Sequence, residues 1–200
     1  MIVQHRSASV FALLLIAACA GETPAPTAES MISGHNHPAN GIATKQDKST
    51  EISRETESAI NVAHAATARF HPLANLLKEN AVLASPCLAI PTGGMGFHYL
   101  REALLDDKVE YDKPEFVMYT PDKHGKMEMG GVEFMVLADA WDAKHDSPPM
   151  FGTQVFNDHR APEARHGLPF AHYELHVWLW TPNPDGIFAP WNPSVSCPAA

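Results

Sequence analysis

The sequence has little positive charge. It contains 14 lysine and arginine residues against 23 aspartate and glutamate residues, so its formal net charge is −9. The chain has no run of basic residues. Proteins that bind nucleic acid or anionic lipid through charge present clustered lysines and arginines. The composition therefore argues against nucleic acid as a partner and against a purely electrostatic hold on a membrane.

The sequence also lacks the short motifs that are typical of common enzyme classes. It has no nucleophile elbow of the G-x-S-x-G type, no C-x-x-C, no H-E-x-x-H, no P-loop and no dinucleotide-binding fingerprint. No arrangement of serine, histidine and acid can be inferred from spacing alone. Hydrolase and redox functions thus have no positive support in the sequence.

No apolar run is long enough to span a bilayer, which takes about 20 residues. Residues 10–18 (VFALLLIAA) follow Arg6 and fit the apolar region of a secretory signal peptide. The run ends in residues 16–19 (IAAC), which resemble the bacterial lipobox, where a signal peptidase cuts before a cysteine that carries lipid. The alternative is an ordinary signal peptide cut near Ala18 or Ala20, with Cys19 incidental.

These features predict three regions: a lipoprotein signal peptide over residues 1–18, a flexible tether over residues 19–50 and a single domain over residues 51–200. The tether is rich in Pro, Ala, Ser, Thr and Gly and has no apolar periodicity. Removal of residues 1–18 removes Arg6 and no acid, so the charge of −9 becomes −10. Lipid on Cys19 would anchor the chain in the cell envelope. By resemblance to the sorting rule, in which an Asp at this position retains a lipoprotein at the inner membrane, Ala20 leaves the chain free to move to an outer membrane if the cell has one, on its periplasmic side or at the cell surface.

The cysteine count fits an exported protein. The chain has three cysteines, and lipidation of Cys19 leaves Cys87 and Cys197 as a pair. In an oxidising compartment such a pair usually forms a disulfide. We therefore expect Cys87 and Cys197 to be bridged, the alternative being two free buried thiols.

The domain begins with a helical pattern and continues with strands. Apolar residues at steps of three and four, including Ile60, Phe70 and Leu77, predict a helical region that Pro72 interrupts. We therefore expect two helices over 52–70 and 72–82, with a bend at His71. Strands are predicted over 93–100, 115–120, 126–139 and 172–180, with a long polar segment, 140–170, that suggests a lid or binding loop. The predicted fold is α+β: two N-terminal helices packed on a curved antiparallel β-sheet shaped as a half-barrel.

Residues 172–180 (HYELHVWLW) alternate in an unusual way. One face of this strand would carry apolar core residues, and the other would carry His172, Glu174 and His176 followed by two tryptophans. His98 and Glu133 are each the single ionisable residue on the non-apolar side of another apolar strand, and the adjacent glycines, Gly96 and Gly131, are expected to leave room for a ligand. We expect these side chains to converge on one pocket.

The predicted ligand set is His98, Glu133, Glu174 and His176, with His172 at the rim. Two histidines and one or two carboxylates with an open position suit Zn²⁺, Fe²⁺ or Mn²⁺. The alternative is a buried polar network, in which the carboxylates accept hydrogen bonds from indole, phenol or imidazole groups.

Three blocks of the chain resemble, together, an uncharacterised family of exported bacterial proteins. They are ATARF…ASPC (66–87), GGMGFHYL with KPEFVMY (93–119) and YELHVWLWTPNPDGIFAPWNPSVSC (173–197). The resemblance covers roughly 130 residues and implies that the blocks belong to one fold, but it implies no activity.

Three hypotheses about function follow. The first is a lipid-anchored envelope protein whose polar pocket binds a divalent metal or a small ligand. The second is a non-catalytic structural or interaction module of the envelope. The third is a metal-dependent enzyme with residues 140–170 as its lid. The sequence leaves open whether the protein is catalytic, and it indicates no protein partner.

Overall fold

The computed structural model describes residues 52–198. The predicted signal peptide, the lipidation site Cys19 and the tether over 19–50 lie outside the described residues. Within residues 52–198, no helix is both long enough and apolar enough to cross a membrane.

One main helix opens the described region. Helix α1 (Arg54–Thr67) begins after Ser53, whose side chain caps it by accepting a hydrogen bond from a backbone N–H of the first turn. A 3₁₀ turn (Ala68–Phe70) follows, and then the short helix α2 (Leu73–Leu77). The prediction of a second helix as far as residue 82 is therefore wrong in extent. The chain leaves the helix through Asn80, whose φ of 61° lies in the left-handed region.

A six-stranded antiparallel sheet follows, with the strand order β1-β2-β3-β4-β8-β7. Its strands are β1 (Val82–Ile90), β2 (Gly93–Leu100), β3 (Phe116–Pro121), β4 (Met127–Leu137), β7 (Asn157–His159) and β8 (His172–Val177). A short helix α3 (Ala138–Asp142) follows β4, and β5 (Met150–Phe151) pairs with β6 (Gln154–Val155) as a separate hairpin. The sheet curls into a half-barrel, so the predicted α+β fold with a curved antiparallel sheet is confirmed.

The predicted strands over 93–100, 115–120 and 126–139 correspond to β2, β3 and β4. Three details differ. The sequence did not predict β1, and β8 ends at Val177 rather than at residue 180. The segment 140–170, expected to be a loop, contains the end of α3, the β5–β6 hairpin and β7, and β7 forms one edge of the main sheet.

One face of the sheet packs on the N-terminal helices to form the main core. The helical side contributes Ala59, Ala63 and Phe70, and it contributes Leu76 instead of the expected Leu77, which is 48% exposed. The hydroxyl of Tyr119 donates a hydrogen bond to the backbone carbonyl of Phe70. The sheet contributes alternate residues of β3, β4 and β8: Val117, Tyr119, Val132, Phe134, Val136, Tyr173, Leu175 and Val177.

The C-terminal segment is fastened to the β1–β2 end of the sheet. The predicted disulfide between Cys87 and Cys197 is present, with the two Cα atoms 5.7 Å apart. Gly94 and Asn192 exchange two backbone hydrogen bonds of 3.0 and 2.9 Å. Because β-strand residues alternate between faces, the side chains next to those of the main core point to the second face of the sheet. A smaller apolar cluster of Met118, Trp178 and Val195 is buried there.

Candidate metal centre

Strand β8 presents a buried polar face. Its core-facing residues alternate with His172, Glu174 and His176, which are 0%, 6% and 2% exposed. Each of these would be costly to bury without a partner. The alternation does not extend to both tryptophans. Trp178 is buried in the smaller apolar cluster, whereas Trp180 lies beyond the strand and packs against the His64 and His71 rings.

Sheet register brings three of the four predicted ligands together. Glu133 on β4 pairs directly with His176 on β8, and the side chain of His98 on β2 reaches the same carboxylate. The Glu133 Oε2 atom is 3.5 Å from His98 Nε2 and 3.7 Å from His176 Nε2. One ligand atom from each residue lies within 4.8 Å of the other two. We call these residues the His98 group.

Glu174, the fourth predicted ligand, belongs to a second set of residues. Its Oε1 atom is 3.2 Å from Nε2 of His159, and its Oε2 atom is 3.4 Å from Nε2 of His172. His172, predicted to lie at the rim, is fully buried. The ligand atoms of these three residues also lie within 4.8 Å of one another. We call them the His159 group.

The two groups adjoin through their carboxyl groups. The negative charge of Glu174 lies near enough to the Glu133 carboxyl group to raise its pKa. Glu174 and His176 also project from the same face of β8, because they are two residues apart on one strand. All six residues therefore form one continuous polar cluster within the sheet.

Hydrogen bonds orient three of the four imidazole rings. Nδ1 of His98 lies 3.0 Å from the hydroxyl oxygen of Ser85. Nδ1 of His172 lies 3.2 Å from the backbone carbonyl oxygen of Phe170, and Nδ1 of His159 contacts that of Ala164. In each case Nε2 is the nitrogen that faces a glutamate. Metal-binding histidines are held in the same way, with one ring nitrogen anchored and the other facing the ion.

The fourth ring, that of His176, has no such anchor. Neither its Nδ1 nor its Nε2 has a hydrogen-bond partner among the described residues, and Nε2 of His172 likewise has none. Buried polar atoms in folded proteins are normally hydrogen-bonded, and leaving one unpaired costs about 1–3 kcal/mol. We therefore expect a bound partner, such as an ion, to satisfy these nitrogens.

Burial controls the charges in the His98 group. Burial, reinforced by His176, lowers the pKa of His98 to about 3, and burial also lowers the pKa of His176. Both rings are therefore neutral near pH 7, and each has a nitrogen lone pair that can bind a cation. Burial raises the pKa of Glu133 well above its usual value, and the neighbouring Glu174 raises it further.

The carboxyl group of Glu174 behaves in the opposite way. Burial alone would raise its pKa, but the neighbouring rings of His172, His176 and His159 outweigh burial and lower the pKa of Glu174. Glu174 therefore favours the anionic form, whereas Glu133 favours the protonated form. The cluster combines neutral imidazole lone pairs with buried carboxyl oxygens, which is the chemistry of a site for a divalent transition metal.

The glycines next to the cluster do not leave room for a ligand, contrary to expectation. A Cβ atom on Gly131 would lie 2.4 Å from the carbonyl oxygen of Val177, and one on Gly96 would lie 2.4 Å from that of Tyr119. Gly96 also has a φ of 84°. Both positions therefore require glycine because another strand's backbone approaches closely.

Sequence reasoning missed two residues of this region, His159 and Ser85. His159 lies on β7, a three-residue strand without apolar alternation, and its position beside His172 follows only from strand pairing. Ser85 lies on β1, which was not predicted, and it pairs with His98. The only local signal for His159 is that it is a histidine within a polar segment, and that signal is weak. Ser85 has no local signal.

The fold and the cluster define this chain as an α+β half-barrel domain with buried histidine and glutamate groups that could hold a metal ion. Comparisons of the chain with family models, with curated proteins and with solved structures find no match.

Proposed function

We propose that this protein is an exported, lipid-anchored protein of the cell envelope that binds a divalent transition-metal ion between His98, Glu133 and His176. The observation that carries the metal proposal is the state of His176. Its ring is 2% exposed, and neither ring nitrogen has a hydrogen-bond partner among the described residues. A bound ion would satisfy Nε2, the nitrogen that faces Glu133.

The distances within the His98 group support a metal more than a hydrogen-bond network. N–H···O hydrogen bonds measure 2.7–3.2 Å between heavy atoms. The separations from Glu133 Oε2 to the two imidazole nitrogens, 3.5 and 3.7 Å, are longer than that. Two ligands bound tetrahedrally at about 2.0–2.1 Å from Zn²⁺ lie about 3.4 Å apart. Both separations from Glu133 Oε2 are thus close to that of neighbouring ligands of one ion.

The ligand types narrow the choice of metal. Two imidazoles and one carboxylate suit Zn²⁺, Fe²⁺ or Mn²⁺, and the imidazoles favour Zn²⁺ or Fe²⁺. The two cysteines of the domain are joined to each other and so supply no thiolate. Three protein ligands would leave a coordination position for water or for a small ligand.

The proposed location rests on the sequence and on the disulfide. The signal-like run, the IAAC segment and the resemblance to exported bacterial proteins all support export with a lipid on Cys19. The Cys87–Cys197 bond supports an oxidising compartment, because disulfides are rare in reducing ones. The structural-module alternative predicts that the buried nitrogens are paired within the protein, and His176 does not fit that expectation.

The experiment compares the full-length protein with its His176→Leu variant. Metal content is measured on protein purified from its native envelope, and Zn²⁺ binding and Tm are measured after treatment with a chelator. We expect the unaltered protein to bind Zn²⁺ with a Kd well below about 1 mM. Its Tm should rise when Zn²⁺ is added. An ion present at 100 times its Kd stabilises a protein by about 2.7 kcal/mol.

His176→Leu should abolish both effects, and in chelator it should be at least as stable as the unaltered protein, because it removes unpaired polar atoms. The matched control is His124→Leu, which removes an exposed histidine from the β3–β4 turn and should bind like the unaltered protein. The proposal fails if the native protein carries no metal and its Kd for Zn²⁺ is in the millimolar range or weaker.

A further inference from the structure

We propose that His159, His172 and Glu174 hold a second divalent transition-metal ion, so that the cluster is a two-metal centre. This inference rests on the proposed function for the first ion, in the His98 group. It adds a second site of the same composition, two imidazoles and one carboxylate, built from β7 and β8.

The hydrogen bonds of the His159 group determine which ring nitrogens are protonated. Nδ1 of His159 faces the carbonyl oxygen of Ala164, and Nδ1 of His172 faces that of Phe170. A carbonyl oxygen can only accept a hydrogen bond, so both Nδ1 atoms must carry hydrogen. In a neutral ring Nε2 then has a lone pair and no hydrogen.

Both lone pairs are directed at the same carboxylate. Nε2 of His159 is 3.2 Å from one oxygen of Glu174, and Nε2 of His172 is 3.4 Å from the other. Lone pairs that face a carboxylate at these distances repel it unless a proton or a cation lies between them. Nε2 of His172 has no hydrogen-bond partner among the described residues, and its side chain is 0% exposed, so bulk solvent does not reach it.

Protons would resolve this repulsion less well than a metal ion would. Protonation of both Nε2 atoms would create two imidazolium rings, and these rings stack nearly parallel, at 8°, with their centroids 5.1 Å apart. Two like charges that close repel strongly in a buried site. A single divalent cation attracts all three ligand atoms and leaves both rings neutral.

Glu174 and His176 project from the same face of β8, two residues apart, so the two sites are neighbours. Each ion would have two imidazoles and one carboxylate of its own. In proteins with two-metal sites, the ions are about 3.5–4 Å apart. The arrangement predicts magnetic coupling between two paramagnetic ions.

The test measures stoichiometry and coupling on the full-length protein after chelator treatment. We expect two Zn²⁺ or Mn²⁺ ions per chain, and the two-Mn²⁺ form should give the electron paramagnetic resonance signal of a coupled pair. His159→Ala should bind one ion per chain and give the signal of isolated Mn²⁺. If His159→Ala does not fold, His159→Gln takes its place, and we expect the same result from it.

The matched control is His145→Ala, which removes an exposed histidine from the same segment, 140–170, and should retain two coupled ions. One ion per chain that is lost in His176→Leu and kept in His159→Ala would overturn the two-metal centre and leave the proposed function intact. Two ions without coupling would overturn it as well. No bound ion would refute both proposals.

Discussion

Ser85 on β1 lies opposite His98 on β2, and its hydroxyl oxygen is 3.0 Å from Nδ1 of that imidazole. The contact turns the other nitrogen, Nε2, toward Glu133. Ser85 thus orients a predicted metal ligand without touching the ion, which makes it a positioning residue. The relationship can be tested separately from the ligands themselves.

Ser85→Ala should weaken Zn²⁺ binding by about 10–100-fold, the usual cost of losing the hydrogen bond that orients a ligand histidine. The measurement is competition with a chromophoric chelator. Ser85→Thr keeps a hydroxyl on a residue that suits a β-strand, and it should bind within a few-fold of the unaltered protein. Equal affinity in Ser85→Ala and the unaltered protein would show that the hydroxyl does not position His98.

Glu115 is a buried carboxyl group outside the metal ligand groups. Its side chain accepts a hydrogen bond from the backbone N–H of Met135, at 2.9 Å. Burial, with a smaller contribution from nearby Asp106, raises the pKa of Glu115 to about 8, because the Met135 N–H and the charge of Arg101 offset these effects only in part. The folded state therefore favours the protonated form of the Glu115 carboxyl group.

This shift predicts how stability depends on pH. A carboxyl group with a raised pKa in the folded state contributes its full stability below its unfolded pKa, near 4.5, and loses it as the pH rises through about 8. In chelator, the Tm of the unaltered protein should fall between pH 5 and 9. Glu115→Gln cannot ionise, so its Tm should fall less, and it should be the more stable protein at pH 9.

The control for this prediction is Glu110→Gln, which changes an exposed carboxylate paired with Lys113. Its Tm should follow that of the unaltered protein across the range, because exposed ion pairs contribute little. A Glu115→Gln variant whose Tm falls as steeply as that of the unaltered protein would contradict the raised pKa.

The disulfide should be a major part of the stability of this protein. Cys87 and Cys197 are 110 residues apart in sequence, and the bond between them closes a loop of that length in the unfolded state. The chain-entropy model assigns a loop of this size about 4–5 kcal/mol. Reduction should therefore lower the midpoint of urea unfolding, and it should leave far-UV circular dichroism without urea nearly unchanged.

The Cys87→Ser/Cys197→Ser double variant provides the matched control. It should unfold at the same urea concentration as the reduced protein, and added reductant should not change it further. A midpoint that is the same with and without reductant in the unaltered protein would contradict the stabilising role.

Several parts of the fold and the site could be predicted because they depend on local patterns. The side chains of β8 alternate with a period of two, so the sequence alone places His172, Glu174 and His176 on one face. The same reasoning identified His98 and Glu133 on β2 and β4. Pairing of Cys87 with Cys197 was also predictable, because the predicted lipidation of Cys19 leaves two cysteines that can join in an oxidising compartment.

Other parts could not be predicted because no local pattern encodes them. Strand β1 contains Pro86 and exposes Val82 and Leu83, as an edge strand can, so it lacks the apolar alternation of a central strand. The α2 helix is shorter than its apolar spacing suggests, because the chain turns at Asn80 to enter β1. Trp180 follows the alternation of β8 in sequence but packs on His64, since the strand has ended by then.

The sequence by itself determined the predicted export signal, the alternation of each strand and the kinds of ligand available, because these depend on residue type and on neighbours in the chain. Only the tertiary structure decided which side chains meet. The register of β4 with β8 places Glu133 against His176, and the pairing of β7 with β8 places His159 beside His172. These contacts join residues far apart in sequence, and strand pairing is set by the packing of the whole sheet rather than by any short segment.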